Sequence, residues 1–203
     1  MQGYAKKSKR GWRKSELLTE PMELTLPLLQ EKLKEWKGCG LSEKSNPVFG
    51  EGNPKASVMF IGEAPGEQED KLGRPFVGAA GKFLDELLGT IGLKREEVYI
   101  SNVVKFRPPE NREPTDEEKT QCMPWLKLEI ALIKPQVIVP LGRHALGHFL
   151  AKTTISDAHG KPFKVNDAVT IFPIYHPAAA LHNGGLRQAL YDDFTALGKF
   201  LKD

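Results

Sequence analysis

A chain of 203 residues with a formal net charge of +3 and two cysteines is long enough to fold on one core of its own, burying roughly 70% of the surface that its unfolded form exposes. Two cysteines exclude a disulfide framework and suit a reducing cytoplasm, and no uncharged run approaches the ~20 residues of a membrane span. The charge is unevenly spread: residues 1–14 (MQGYAKKSKRGWRK) hold six basic residues and no acid, leaving 23 basic against 26 acidic residues in the body. We expect a basic arm over 1–22 and one domain over 23–203. The arm reads as a solvated terminus or as a polyanion-binding segment, and the two are compatible. Behind it, LLTEPMELTLPLL is broken by two Glu and two Pro, a poor signal-peptide core.

In chain order, LPLLQEKLKEWK (26–37) spaces apolar residues as a helix does, and SVMFIG (57–62) is the continuous apolar run of a buried strand. A glycine-rich loop follows, carrying Glu63, Glu67, Glu69 and Asp70. GKFLDELLGTIGL (81–93) predicts a helix ending at glycines, and EVYIS (97–101) a second strand that runs into Asn102 and a charged, proline-rich loop. Thr115 and Glu118 have capping-box spacing for a helix to about Lys134, with Pro124 a candidate kink. QVIVPLG (136–142) is a third strand entering the helix RHALGHFLA, AVTIFPIY (168–175) a fourth, and LRQALYDDFTALGKFLKD a closing helix. Strands alternating with helices predict an α/β fold with a parallel sheet covered on both faces.

In such sheets the ligand site lies beyond the carboxyl ends of the strands. There the first strand delivers Glu63, the second Asn102 and the fourth His176, while the third opens a helix at Gly142. Singly, each has an ordinary structural explanation; together on one rim they form a chemical set. An amide offers a donor and an acceptor to the edge of a base. An imidazole N–H can stabilise a leaving anion, and a carboxylate can orient or deprotonate water. Phe76, between glycines in GRPFVG, reads as an exposed aromatic platform for stacking a base.

IGEAPGEQED, GRPFVGAAG, SNVVKFRPPENR and YHPAAAL resemble the motifs of the family 4 uracil-DNA glycosylases, from about Leu33 to the C-terminus. The resemblance implies a three-layer α/β/α sandwich around a central four-stranded parallel sheet. It also implies a monomeric enzyme of the cytoplasm and nucleoid that excises uracil from single- or double-stranded DNA. Uracil would be flipped out, stacked on Phe76 and read by Asn102, with His176 stabilising charge on O2; Asn111 matches another position that the family uses. The loop acids would then face a cation-forming sugar and a water. In the best-known uracil glycosylases the corresponding motif reads GQDPYH, and its water-activating Asp falls on Ala64 here, which leaves Glu63 and Glu69 as candidates. Glu67 and Asp70 read as solvated charges. Leu181, in HPAAALHNGGLR, is the candidate wedge for the space that a flipped base vacates, against the plainer reading that it packs the last helix; Asn183-Gly184-Gly185 behind it reads as a turn. Lys105, Arg107, Arg112 and Arg187 are candidate phosphate contacts or ordinary surface charges.

The family usually holds a [4Fe-4S] cluster on four cysteines. Here the four positions read Trp36, Cys39, Phe106 and Cys122; two ligands remain, and we expect no cluster and no metal. Two other functions stand beside the glycosylase: a catalytically inactive DNA-binding protein on the same scaffold, and an enzyme that binds small nucleotides.

Overall fold

The computed structural model describes residues 23–202; the basic arm read over 1–22 lies outside the described residues. Strands β1 (Glu51–Gly52), β2 (Val58–Gly62), β3 (Tyr99–Asn102), β4 (Val137–Pro140), β5 (Phe163–Lys164) and β6 (Thr170–Ile171) form one sheet in the order β1-β3-β2-β4-β6-β5. The four inner strands are parallel, as expected, and the two-residue edge strands β1 and β5 pair antiparallel. The fourth strand is shorter than its apolar run. Pro173 has no N–H for the ladder, so regular pairing stops at Ile171 and resumes only as a bridge between Leu141 and Ile174.

Eight helices among the described residues cover the sheet: α1 (Leu26–Glu35), α2 (Glu67–Leu72), α3 (Ala79–Thr90), α4 (Asp116–Ile133), α5 (Gly142–Leu146), α6 (Ile155–Ala158), α7 (Pro177–His182) and α8 (Gly184–Phe200). Alternation along β2 splits the core between two layers. Val58 and Phe60 join Leu84 and Leu87 of α3 and Phe194 of α8 on one face, and Met59 and Ile61 join Leu33 of α1 and Leu126 of α4 on the other. The capping box at α4 closes in both directions, Glu118 N–H donating to Thr115 Oγ1 at 3.2 Å and Thr115 N–H to Glu118 Oε2 at 2.8 Å. The helix passes through Pro124. The acidic loop turns out to be partly helical: Glu67, Glu69 and Asp70 occupy the first turn of α2, where the helix dipole favours negative charge. Asn183-Gly184-Gly185 is no separate turn, since Asn183 caps α8 by accepting from Gly185 N–H at 3.0 Å.

One buried ion pair locks the second layer to the sheet. Lys105 Nζ lies 2.6 Å from Glu129 Oε2 of α4 with both side chains at 0% exposure, and it also donates to Ser101 Oγ at 2.7 Å and to the Asn102 carbonyl at 2.9 Å. Glu129 accepts in addition from Ser101 Oγ and from Gly50 N–H. Lys105 is therefore no phosphate contact, because its ammonium points inward and is saturated. Lys105→Met should cost about 3–5 kcal/mol in urea unfolding, the range for stranding a buried charge. Combining it with E129L should recover much of that loss.

Candidate active site

A cleft of about 580 Å³ opens at the carboxyl ends of the inner strands, and Glu63, Phe76, Asn102, His144 and His176 line it. The sheet order explains the place. The chain leaves β2 toward β3 on one side and leaves the adjacent β4 toward β6 on the other, so a crevice opens above the β2–β4 pair.

Asn102 ends β3 at 2% exposure, and its Oδ1 is buried without a hydrogen-bond partner. A buried amide oxygen left unpaired costs free energy unless a ligand completes it. Gly62, its neighbour in register on β2, leaves the room: a Cβ there would clash with Asn102 Oδ1 and lie 2.6 Å from the Phe76 ring.

Phe76 lines the cleft but is not an exposed platform. It is 5% exposed, and its backbone takes the left-handed φ of 52°, an unfavourable conformation for a bulky side chain that surrounding contacts must impose. Two groups impose it. Glu69 Oε1 accepts from Val77 and Gly78 N–H, both at 2.8 Å, while the Arg95 guanidinium donates to the Pro75 carbonyl and, at 2.9 Å, to the Phe76 carbonyl. Glu69 thus braces the aromatic loop, and one of its oxygens is committed to that task.

His176 stands 5.7 Å from Phe76 between ring centroids. It caps α7, with Nδ1 accepting from Ala178 N–H at 3.1 Å. Burial pushes its pKa down to about 4, helped by the charge of His144 and opposed by that of Glu69. The ring is consequently neutral at ordinary pH with its proton on Nε2, a donor left for a ligand. Gly142, at φ +82°, admits the approach, since a Cβ there would lie 2.9 Å from His176 Cβ.

Glu63 follows β2 directly. Its Oε1 is buried with no hydrogen-bond partner, and His144 Nδ1 lies 3.4 Å away. Burial raises the carboxyl pKa, and His144 leads the charges that oppose the rise. Ala64 also lines the cleft and brings no titratable group. Asn111 sits at the mouth with φ 56°, its Oδ1 accepting from Arg107 Nε at 2.7 Å. Arg112 is forked onto Glu118 at 2.7 and 2.8 Å, and Arg187 reaches Glu86 at 3.1 Å with its guanidinium 4.4 Å from the Phe83 centroid. Leu181, on α7, is 42% exposed. Of the acids read as merely solvated, Glu67 pairs with Lys71 at the surface, but Asp70 ties α2 down by accepting from Asn46 N–H at 2.7 Å.

Sequence reasoning missed His144 and Arg95. His144 could have been found by the rule that found the others, because it follows the carboxyl end of β4. Arg95, distant in sequence from Phe76, carried no signal.

The residues of the cluster positions do gather. Trp36, Cys39, Phe106 and Cys122 share one apolar cluster, with Trp36 centroids 6.0 Å from Phe106 and 5.4 Å from Trp125. Both thiols are buried and free, and burial pushes the Cys122 thiol up to about 12. Two thiols and two aromatic rings do not fit a four-iron cluster, which needs four soft donors. Among the described residues no three His, Cys, Asp or Glu side chains are grouped to hold a metal ion.

Residues 49–197 match the family model of the uracil DNA glycosylase superfamily. The chain belongs to that superfamily. It is 47% identical over 183 residues to the type-4 uracil-DNA glycosylase of Sulfurisphaera tokodaii, covering 85% of this chain and 83% of that protein. The type-4 enzyme of Archaeoglobus fulgidus is 49% identical over 79% of this chain and 85% of its own, and that of Thermotoga maritima 42% identical over 89% and 96%. Membership accords with the three-layer α/β architecture and with a cleft at the strand ends. Within that cleft, Gly62→Ala should lower uracil-release activity at least tenfold, on the order expected when a small intrusion misplaces reacting groups. The variant should also melt at a lower temperature, since overpacking a buried strand costs about 1–3 kcal/mol, and activity measured well below that melt checks the packing of Asn102 against Phe76.

Proposed function

We propose that this protein removes uracil from DNA by hydrolysing the N-glycosidic bond of a flipped-out nucleotide, leaving an abasic site. The observation that carries the proposal is the unpartnered Asn102 amide oxygen beside Phe76, in a cleft that a neutral His176 also lines. Uracil N3–H would donate to Asn102 Oδ1, and the Asn102 amide N–H to uracil O4. The ring would lie against Phe76, held in place by Glu69 and Arg95.

As the C1′–N1 bond breaks, its electron pair goes to the base and negative charge gathers on O2, where His176 Nε2–H donates to it. The sugar becomes cationic. Glu63, the cleft acid with an uncommitted oxygen, stabilises that charge and takes the proton of the water that adds to C1′. Glu69 supports the aromatic loop in this reading and is not the water-handling acid. Leu181, exposed at α7, would fill the gap in the duplex, and Arg107, steered by Asn111, would meet a phosphate. The protein would act as a monomer on uracil-containing DNA in the cytoplasm. No helix among the described residues is long and apolar enough to cross a membrane.

Incubation with uracil-containing and control oligonucleotides should yield alkali-labile sites in the first alone, and borohydride should trap no covalent adduct. His176→Ala should slow single-turnover release by roughly 10²–10³, the scale for one preorganised donor to a developing anion, with DNA affinity nearly unchanged. An equal loss of affinity and rate would make His176 a docking residue. From about pH 5 upward the rate should show no step belonging to His176, which is neutral throughout that range.

We also propose that the protein works without an iron–sulfur cluster, the aromatic pair filling the space with hydrocarbon. Purified protein should contain negligible iron and acid-labile sulfide. Phe106→Ala should destabilise it by about 3–5 kcal/mol, as for other emptied aromatic sites in a core.

A further inference from the structure

His144 has both ring nitrogens engaged by charged groups from three separate parts of the chain. Nδ1 lies 3.4 Å from Glu63 Oε1, the buried oxygen that finds no hydrogen bond. Nε2 lies 3.0 Å from Glu113 Oε1 and receives Arg143 Nε–H at 2.9 Å, while Arg143 Nη2 closes the triangle on Glu113 at 2.6 Å. The imidazole is only part-exposed, on the cleft wall formed by α5. It therefore stands at the β4 side of the crevice, across from the Glu63 loop that leaves the adjacent β2.

The hydrogen bond from Arg143 Nε–H to Nε2 favours one tautomer of the neutral ring. When His144 is neutral, Nε2 serves as acceptor for Arg143, so the single proton sits on Nδ1 and faces Glu63. When it is charged, Nε2–H donates to Glu113 and Nδ1–H still faces Glu63. Either way a donor is held toward the carboxylate oxygen that otherwise has none. A separation of 3.4 Å is long for a hydrogen bond, and bonds of this kind shorten when a ligand closes the site.

We propose that His144 is the positioning residue for Glu63, holding its carboxylate turned into the cleft, with Glu113 and Arg143 fixing the orientation of the imidazole. This rests on Glu63 being the acid that handles water. Other titratable groups face the same ring: His176 across the cleft and His148 just beyond α5 lie close enough to repel it when charged, and Lys119 on α4 acts on Glu63 itself. All three remain in place when His144 alone is changed.

The sign of the pH effect follows. Glu63 works as a carboxylate, so activity rises with pH through its titration. Removing a group that favours the charged form raises that titration, and the acid limb of the rate profile moves to higher pH.

The test is single-turnover uracil release against pH, with enzyme in excess over a uracil-containing oligonucleotide. The variants are His144→Leu, His144→Asn, Glu63→Gln and the double variant E63Q/H144L. His144→Leu should lower the rate by roughly tenfold to a hundredfold, as for a modest misplacement of a reacting group, and shift the acid limb upward. Oligonucleotide affinity should stay within about twofold of wild type, since the proposed effect lies in the chemical step. His144→Asn, whose amide nitrogen can stand near the Nδ1 position, should recover most of the rate and the original limb. On the Glu63→Gln background, His144→Leu should add no further loss, because the two act as one unit. An unchanged rate and limb in His144→Leu, with Glu63→Gln slow, would overturn the positioning role and leave the reading of Glu63 intact. Independent, additive losses would overturn it as well. Wild-type rate in Glu63→Gln would remove the reading of Glu63 and this proposal together. Should His144→Leu fail to fold, a wild-type profile in His144→Asn paired with a slow, limb-shifted His144→Gln supports the role, and identical profiles for both amides overturn it.

Discussion

The Lys105–Glu129 pair is the constraint on which the cleft depends. Its ammonium holds the carbonyl of Asn102 and the hydroxyl of Ser101 at the end of β3, while its carboxylate anchors α4 and the backbone at Gly50. Desolvating two charges offsets most of their attraction, so such a pair adds little net stability compared with a well-packed apolar alternative. What it contributes is direction. With its main chain pinned from beneath, the Asn102 side chain is left with one place to go, the cleft. Burial first, and the charge of Glu129 after it, raise the pKa of the neighbouring Tyr99 phenol, whose hydroxyl is itself buried without a partner.

The other functional side chains are each restrained by a separate device. Phe76 is held in a strained backbone by carboxylate on one side and guanidinium on the other, and the His176 ring is fixed by the Ala178 amide of the helix that it caps. Preorganised groups of this kind need no rearrangement when charge develops, which is where electrostatic catalysis gains its force. Glu63 is the exception, with an oxygen that has no bond of its own. Its nearest titratable neighbour on that oxygen is the His144 ring, 3.4 Å away.

Much of this was legible in the residues alone. Buried parallel strands are continuous apolar runs, so β2, β3 and β4 stood out, and with them the residues Glu63 and Asn102 that terminate two of them. Helix α2 did not, because six residues rich in acid have no apolar period to detect; its stability comes from its dipole and from the tie between Asp70 and Asn46. Lys105 was misread because nothing in KFRPP distinguishes a buried lysine from a surface one. Its partner lies 24 residues away, on the inner face of a helix. Phe76 was rightly placed at the cleft and wrongly exposed, since glycines on either side say nothing about a distant Arg95.

The edges of the sheet carry a consequence of another kind. Strands β1 and β5 are two residues long and run against the direction of their neighbours. A longer edge would offer a row of unpaired amides and carbonyls on which a second chain could crystallise a new strand. Here each border ends within a couple of peptide units, with charged Glu51 and Lys164 standing on it. The sheet that aligns the cleft is thereby poorly suited to templating fibrils, and the protein can expose its strand ends to a ligand without exposing its strand sides to other copies of itself.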